Sequence, residues 1–255
     1  MNTRLRYYID LVAVLTEKEL KIRYKSSILG YLWSIAHPLA LALVFYIAFK
    51  IVMKVEMDDY VLFLICGLFP WQWFANSVNA SPILFLGNTS IIKKIRFPRH
   101  FLPLALVLQD MVHFLMSIPV IIFFLFLYRH TPYISWVYGV PLLLLFHFFT
   151  VYGISLAISS LNLFFRDLER MTYIGTMLLF YFTPVIYHEA MIPQRYHALI
   201  YLNPMAPLIM GWRNLFLYGS LNWGNIFICL TYAFFIGLAG YLIYSKLSWR
   251  FAEVL

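Results

Sequence analysis

Charge is what this chain has least of. Only 12% of its 255 residues are Asp, Glu, Lys or Arg, against roughly 25% in a soluble globular domain. Between Lys25 and Lys50 lie 24 residues without a charge, and further charge-free runs fill 60–92, 111–128, 130–165, 171–188 and 214–245. A charge at the bilayer centre costs roughly 2.5–3.5 kcal/mol, and about 20 apolar residues cover the hydrocarbon layer. The runs therefore read as membrane spans, and a soluble enzyme is excluded. Cysteine is also scarce. Cys66 and Cys229 lie far apart inside apolar runs, which supports neither a disulfide framework nor a metal site and predicts inert packing residues. Period-2 alternation is missing, which argues against a β-barrel. The first 15 residues lack a short apolar core with a small-residue cleavage site, so no removable signal peptide is expected.

Chemical motifs are equally sparse. No Gly-x-x-x-x-Gly-Lys-Ser/Thr run is present to cradle phosphates, so the chain is not expected to hydrolyse ATP by itself or to be an enzyme. His-Glu-x-x-His and Cys-x-x-Cys are missing too, and no metal site is expected. The nearest approach to a nucleophile elbow, Gly153-Ile154-Ser155-Leu156-Ala157, falls in mid-span. Gly153, Ala157 and Ser160 are better read as a small-residue stripe that lets another helix come close.

What is present is an all-α polytopic pattern. Six spans are predicted near 28–53, 60–82, 101–128, 136–162, 170–187 and 225–245. Lys and Arg number 14 on the face that carries both termini and five on the other, so the positive-inside rule places both termini in the cytoplasm. The net charge of +8 thus reports topology rather than nucleic-acid binding. Residues 1–27 form a separate unit in which Leu5, Tyr8, Ile9, Val12 and Leu15 recur at helical spacing, with Glu17, Lys18, Lys21 and Lys25 clustered on a polar side. This predicts an amphipathic helix in the membrane interface, touching lipid, ahead of a transmembrane domain over 28–255. Between spans five and six, Pro184, Pro193, Pro204 and Pro207 cut an apolar stretch into pieces too short to cross. A re-entrant or periplasmic helical hairpin is expected there.

Asp110 is the sole acidic residue within the predicted spans, with His113 and Ser117 on its helical face. A structural pairing is the expectation, against the functional role that an intramembrane charge suggests. Glu56, Asp58 and Asp59 beyond the first span resemble the acidic pair of polytopic glycosyltransferases. The chain has no sizeable outer domain to hold an acceptor, so a solvated loop is the better reading. Among its 50 aromatic residues, Trp33, Tyr46, Trp71, Trp73, Phe74 and Tyr181 are candidates to line a path, because flat apolar faces let a sugar chain slide.

Six segments, in order, resemble the membrane subunit of ABC-2-type polysaccharide exporters. They are Arg23-Tyr24-Lys25-Ser26-Ser27-Ile28-Leu29-Gly30-Tyr31-Leu32-Trp33; Gly67-Leu68-Phe69-Pro70-Trp71; Lys94-Ile95-Arg96-Phe97-Pro98-Arg99; Phe164-Phe165-Arg166-Asp167-Leu168; Thr183-Pro184-Val185-Ile186-Tyr187; and Leu202-Asn203-Pro204. The family handles O-antigen, capsule and teichoic acid, and the O-antigen branch is the nearest match. The resemblance implies a homodimer in the bacterial inner membrane that exports a lipid-linked polysaccharide. Two copies of a separate ATPase subunit would carry ATP and Mg, with no cofactor in this chain. It also implies motor coupling through Glu17, Lys21, Arg23, Lys93, Lys94, Phe97, Pro98, Arg99, Arg166 and Asp167, and an outer gate containing Pro184, Tyr187, Asn203 and Pro204. An ABC-2 exporter of small hydrophobic molecules is the alternative. A secondary transporter fits less well, for want of repeated halves and paired intramembrane acids.

Overall fold

The computed structural model describes residues 3–24, 30–54, 57–95 and 97–251, and the side chains of these apart from 3–5, 22–24, 31 and 34. Among them every regular element is helical, as a chain must be when no water is present to satisfy its backbone. In order these are α1 (Thr3–Tyr24), α2 (Trp33–Phe45, continuing as a wider π-helical turn over Tyr46–Val52), α3 (Tyr60–Ala80), the short α4 (Leu84–Gly87) and α5 (Thr89–Lys94), then α6 (Phe101–Leu127), α7 (Trp136–Asn162), α8 (Leu168–Phe182), α9 (His197–Ile200), α10 (Met205–Tyr218) and α11 (Trp223–Leu247).

Five segments of the described residues are long and apolar enough to cross a membrane: Ile35–Val52, Tyr60–Ala80, Phe101–Leu127, Trp136–Asn162 and Trp223–Arg250. The expected span over 170–187 is realised differently. Its helix, α8, has 15 residues, about 22 Å at 1.5 Å per residue, short of the roughly 30 Å hydrocarbon layer. It stops because Thr183 is extended (φ −94°, ψ 136°), the conformation that a following proline, Pro184, imposes.

α3 is the axis of the bundle. Its flanks bury Leu62 to Trp71 without a break, and the main apolar cluster joins it to residues of α2, α6, α7 and α10. The stretch expected to be a re-entrant or periplasmic hairpin packs partly into the interior of the protein. Its last piece, α10, is a core helix, with Met205, Leu208, Ile209, Trp212, Leu215 and Phe216 fully or almost fully buried. Gly219 ends it in the left-handed conformation (φ +61°), with the Tyr133 ring where a Cβ would lie. α7 and α11 make the closest helix pair. A Cβ on Gly240 would stand 2.2 Å from the Gly153 carbonyl oxygen, and one on Gly153 would stand 2.5 Å from the Ile236 carbonyl oxygen. Gly153 of the predicted stripe therefore has α11 as its partner. Cys66 and Cys229 are buried thiols without a disulfide.

At the end of the bundle holding the α5–α6 and α7–α8 connections, a second apolar cluster joins Leu15 of α1 to Leu84, Phe85, Leu102, Leu106, Leu163 and Phe251. α1 lies against α6 by Leu11 and Leu15, and the Tyr8 and Phe101 rings meet edge to face at 5.5 Å. Of the predicted stripe, Leu15 is buried, Val12 is half-buried, and Tyr8 and Ile9 are 38% and 52% exposed. The side chain of Leu5 lies outside the described residues.

Candidate translocation and coupling sites

Residues 183–187 leave helical geometry while packed inside the protein, so their carbonyls need donors from elsewhere. Three side chains supply them or brace the segment. Arg213 Nη2 donates to the Val185 carbonyl (2.9 Å), Tyr60 Oη donates to the Ile186 carbonyl (2.8 Å), and Asn203 Nδ2 donates to Thr183 Oγ1 (2.8 Å). Asn203 Oδ1 also accepts from the Met205 amide (2.9 Å) and so opens α10. Arg213 is 3% exposed, its guanidinium 3.6 Å from the centre of the Phe63 ring. Gly67 makes the room, since a Cβ there would lie 2.8 Å from Nη2. Of the outer-gate candidates, Pro184 and Asn203 are therefore buried in one junction and Pro204 is half-buried beside it. Tyr187 donates to the Tyr181 carbonyl (3.2 Å). Arg213 and Tyr60 were missed as site residues in the sequence. An arginine inside an apolar helical stretch was the available signal.

A groove of about 350 Å³ opens between α2, α3 and α8, lined by His37, Trp71, Gln72, Asn79, Tyr173, Thr176 and Tyr181 among others. Its lining is mostly aromatic and aliphatic, with amide, hydroxyl and imidazole groups among them. Two of the six proposed path-lining aromatics, Trp71 and Tyr181, meet here. Trp33 is exposed elsewhere on α2, and Tyr46 is half-buried. Trp73 and Phe74 are core residues, each 2% exposed. Trp73 stacks on His147 at 4.2 Å and on Phe114 at 5.6 Å and donates its indole N–H to the Val107 carbonyl (3.2 Å). His147, unremarked in the sequence, accepts from the Trp212 indole N–H (3.1 Å).

Asp110 is 1% exposed. Ser77 Oγ donates to its Oδ2 (2.8 Å), and His113 Nδ1 stands 3.7 Å from its Oδ1, so the carboxylate bridges α3 and α6 as a structural pairing would. Ser117 turns instead to the Phe114 carbonyl of its own helix. In the loops before α3 and after α6, Asp59 pairs with His130 (2.8 Å), a contact that ties the two together. Asp58 is exposed, and Glu56 lies outside the described residues.

The coupling candidates gather at the opposite end. Lys93, Lys94, Arg166 and Asp167 are exposed, and Phe97, Pro98 and Arg99 are half-buried. Arg99 is anchored, with Nη1 donating to the Ser248 carbonyl (2.9 Å). On α1, Lys21 pairs with Glu17 (2.6 Å) and holds its carboxyl below the ordinary carboxylate range. Lys18 donates to Asn88 Oδ1 and so joins α1 to the α4–α5 turn. The side chain of Arg23 and all of Arg96 lie outside the described residues.

Long apolar helices around a buried axis, an internally braced break between α8 and α10, and a basic, largely exposed end define a multi-pass helical membrane protein of the transporter kind. The chain belongs to the ABC-2 type transporter family, which it matches over residues 10–217. ABC-2 permease subunits work with a partner ATPase. Two proteins of Klebsiella pneumoniae, each an O-antigen export system permease protein RfbA, are 49% identical over 255 residues, all of this chain and 98% of theirs. A protein of the same description from Myxococcus xanthus is 29% identical over 212 residues, 82% of this chain and 81% of its own.

Proposed function

We propose that this chain is the permease subunit of an ABC exporter that moves a lipid-linked, O-antigen-like polysaccharide from the cytoplasm across the bacterial inner membrane. The observation that carries the reading is the α2–α3–α8 groove. A polysaccharide needs a path that offers hydroxyl partners without binding tightly, and aromatic faces set among Gln72, Asn79 and Thr176 have that chemistry. The groove also borders an unfilled surface. Tyr173, Ile174, Met177, Leu178, Tyr181 and Phe182 of α8, with Leu43, Val44 and Ile47 of α2, are each 46–70% exposed. A second copy of the chain packed on this face would close the groove into a channel, which gives the homodimer a function. The whole-length likeness to O-antigen export permeases supports the same substrate class.

In this reading α8 and the braced 183–187 segment together make the sixth crossing, both termini are cytoplasmic, and the Pro184–Asn203 junction serves as the outer gate. Two copies of a nucleotide-binding ATPase, with their ATP and Mg, dock on the end that presents Glu17, Lys21, Lys93, Lys94, Arg166 and Asp167, and no cofactor binds this chain. The test is complementation of a strain lacking the permease gene, read as surface polysaccharide against membrane expression. Tyr181→Ala, at an exposed side chain of the groove, combined with Gln72→Ala should cut surface polysaccharide at least tenfold at unchanged expression. Full export by that variant removes the groove from the pathway.

A further inference from the structure

The α7–α11 pair carries a second groove that the translocation path does not use. It holds about 470 Å³ and is lined almost wholly by apolar atoms. Phe146 and Ala233 form its floor, 6% and 5% exposed, and Phe149, Phe234, Leu238 and Tyr241 stand along its rims at 44–61% exposed. Both walls belong to segments long and apolar enough to cross a membrane, and such a groove suits an acyl chain.

Glycine use along this pair separates two roles. Gly153 and Gly240 are needed for helix contact, because a Cβ on either would meet backbone at 2.2–2.5 Å. Gly237 lines the groove, yet a Cβ there would meet only the Phe149 carbonyl oxygen, at an ordinary 3.8 Å. Helix contact does not require glycine at 237. Its effect is to deepen the groove.

Beyond Tyr152, outside the residues that line the groove, polar groups gather. Tyr152 Oη donates to the His100 carbonyl (3.4 Å), the His100 ring meets Tyr244 edge to face at 5.7 Å, and half-buried Arg99 is held against α11 by its bond to the Ser248 carbonyl. We propose that this groove is a binding site for an anionic phospholipid, with an acyl chain along Phe146, Ala233 and Gly237 and the headgroup phosphate reaching past Tyr152 to Arg99. A flexible chain fills a channel one side chain deep, and the cation at its end selects an anionic head over a zwitterionic one. The site goes beyond the export reading and does not depend on its substrate. With the termini cytoplasmic, the lipid belongs to the inner leaflet.

Native mass spectrometry of the full-length protein, equilibrated with equal amounts of phosphatidylglycerol and phosphatidylethanolamine, tests it. The wild type should retain phosphatidylglycerol in preference. Gly237→Leu, which fills the groove, should lower that retention more than tenfold with oligomer mass and melting temperature unchanged, and Gly237→Ala should lower it less. Arg99→Gln, which keeps a donor for Ser248, should lower phosphatidylglycerol retention about fivefold, the worth of one surface cation near an anionic lipid, and leave phosphatidylethanolamine unaffected. Retention at the wild-type level by Gly237→Leu overturns the proposal. So does a change of oligomer mass in place of lipid loss, which would make the groove an interface between copies, and so does co-purification of a polyprenyl-linked lipid there instead. A wild-type protein with no preference for phosphatidylglycerol overturns it without recourse to any variant.

Discussion

Replacing Gly67 by Ala and Arg213 by Met, singly and together, tests whether the buried guanidinium holds the break after α8. In the wild-type background the new methyl would lie 2.8 Å from Arg213 Nη2 and 3.4 Å from the Val185 carbonyl oxygen. The guanidinium must then move off Val185 and off the Phe63 ring. Crowding of this kind costs about 1–3 kcal/mol, offset by roughly 1 kcal/mol of helix propensity gained when Ala replaces Gly. Gly67→Ala should therefore destabilise by about 0–2 kcal/mol. Arg213→Met leaves the Val185 carbonyl without its donor, about 1–3 kcal/mol, and loses the stacking on Phe63, about 2 kcal/mol in a desolvated site. Relief from burying a cation offsets part of that, for a net loss of about 1–3 kcal/mol. Once the guanidinium is gone the methyl added by Gly67→Ala meets no crowded nitrogen, and that substitution should turn neutral or stabilising. The cycle should close with a coupling of about 1–3 kcal/mol. Thermal unfolding of the four proteins in one detergent measures it, at roughly 2–4 °C per kcal/mol for a chain of this size class. Additive shifts would refute the argument, because they would mean that the guanidinium does not occupy the space above Gly67.

Reversing Lys93 and Lys94 to Glu should leave stability within about 1 kcal/mol, because both are exposed. The variant should insert normally and fail to co-purify with the ATPase, and normal co-purification and export would remove these residues from the coupling surface. Burial lowers the His100 pKa below its ordinary 6.5, so the folded protein holds this imidazole neutral where the unfolded chain takes up a proton. Its stabilising contribution is present above pH 6.5 and is lost progressively as pH falls from there through the lowered folded-state pKa. His100→Gln should flatten the decline of melting temperature below pH 6.5, and an unchanged slope would contradict the assignment. Single cysteines at 57–59 and 190–196 should react with an impermeant maleimide added outside intact cells, and those at 93–95 should not. The reverse pattern would invert the topology.

How much of this could be read in the sequence follows from what each feature depends on. Spans are a matter of local composition: the charge-free runs 60–92 and 130–165 each contain a crossing segment, and the runs 111–128 and 214–245 cover most of two more, whose remainders carry Asp110, and Lys246 with Arg250. The small-residue stripe at Gly153 was legible for the same reason, although its partner on α11 was not. α8 and α10 were the least legible elements, because both depend on tertiary donors. Pro184 shows in the sequence as a helix stop. Whether an extended segment can then lie inside the bundle depends on Arg213, Tyr60 and Asn203 coming from α10, α3 and the turn before α10. Their separations from their partners, 28, 126 and 20 residues, leave no periodic trace.

The same dependence explains why α10 lies in the core although it is too short to cross. An isolated 14-residue segment with an arginine reads as interfacial, since a lone cation in hydrocarbon is costly. Buried against α3, that cation is the donor that the extended segment lacks, and Gly67 and Phe63 on α3 give its plane a slot and a face. Charge and break therefore compensate each other. Each alone argues against burial, and together they allow a non-helical turn and a short helix to sit inside a membrane protein. A junction built this way is more readily rearranged than a continuous helix. Its hydrogen bonds join side chain to backbone across elements, so α8 and α10 can part without unwinding either one. If the export reading proposed above holds, the Thr183–Tyr187 segment, rather than any full-length span, would be the place where the outer end opens.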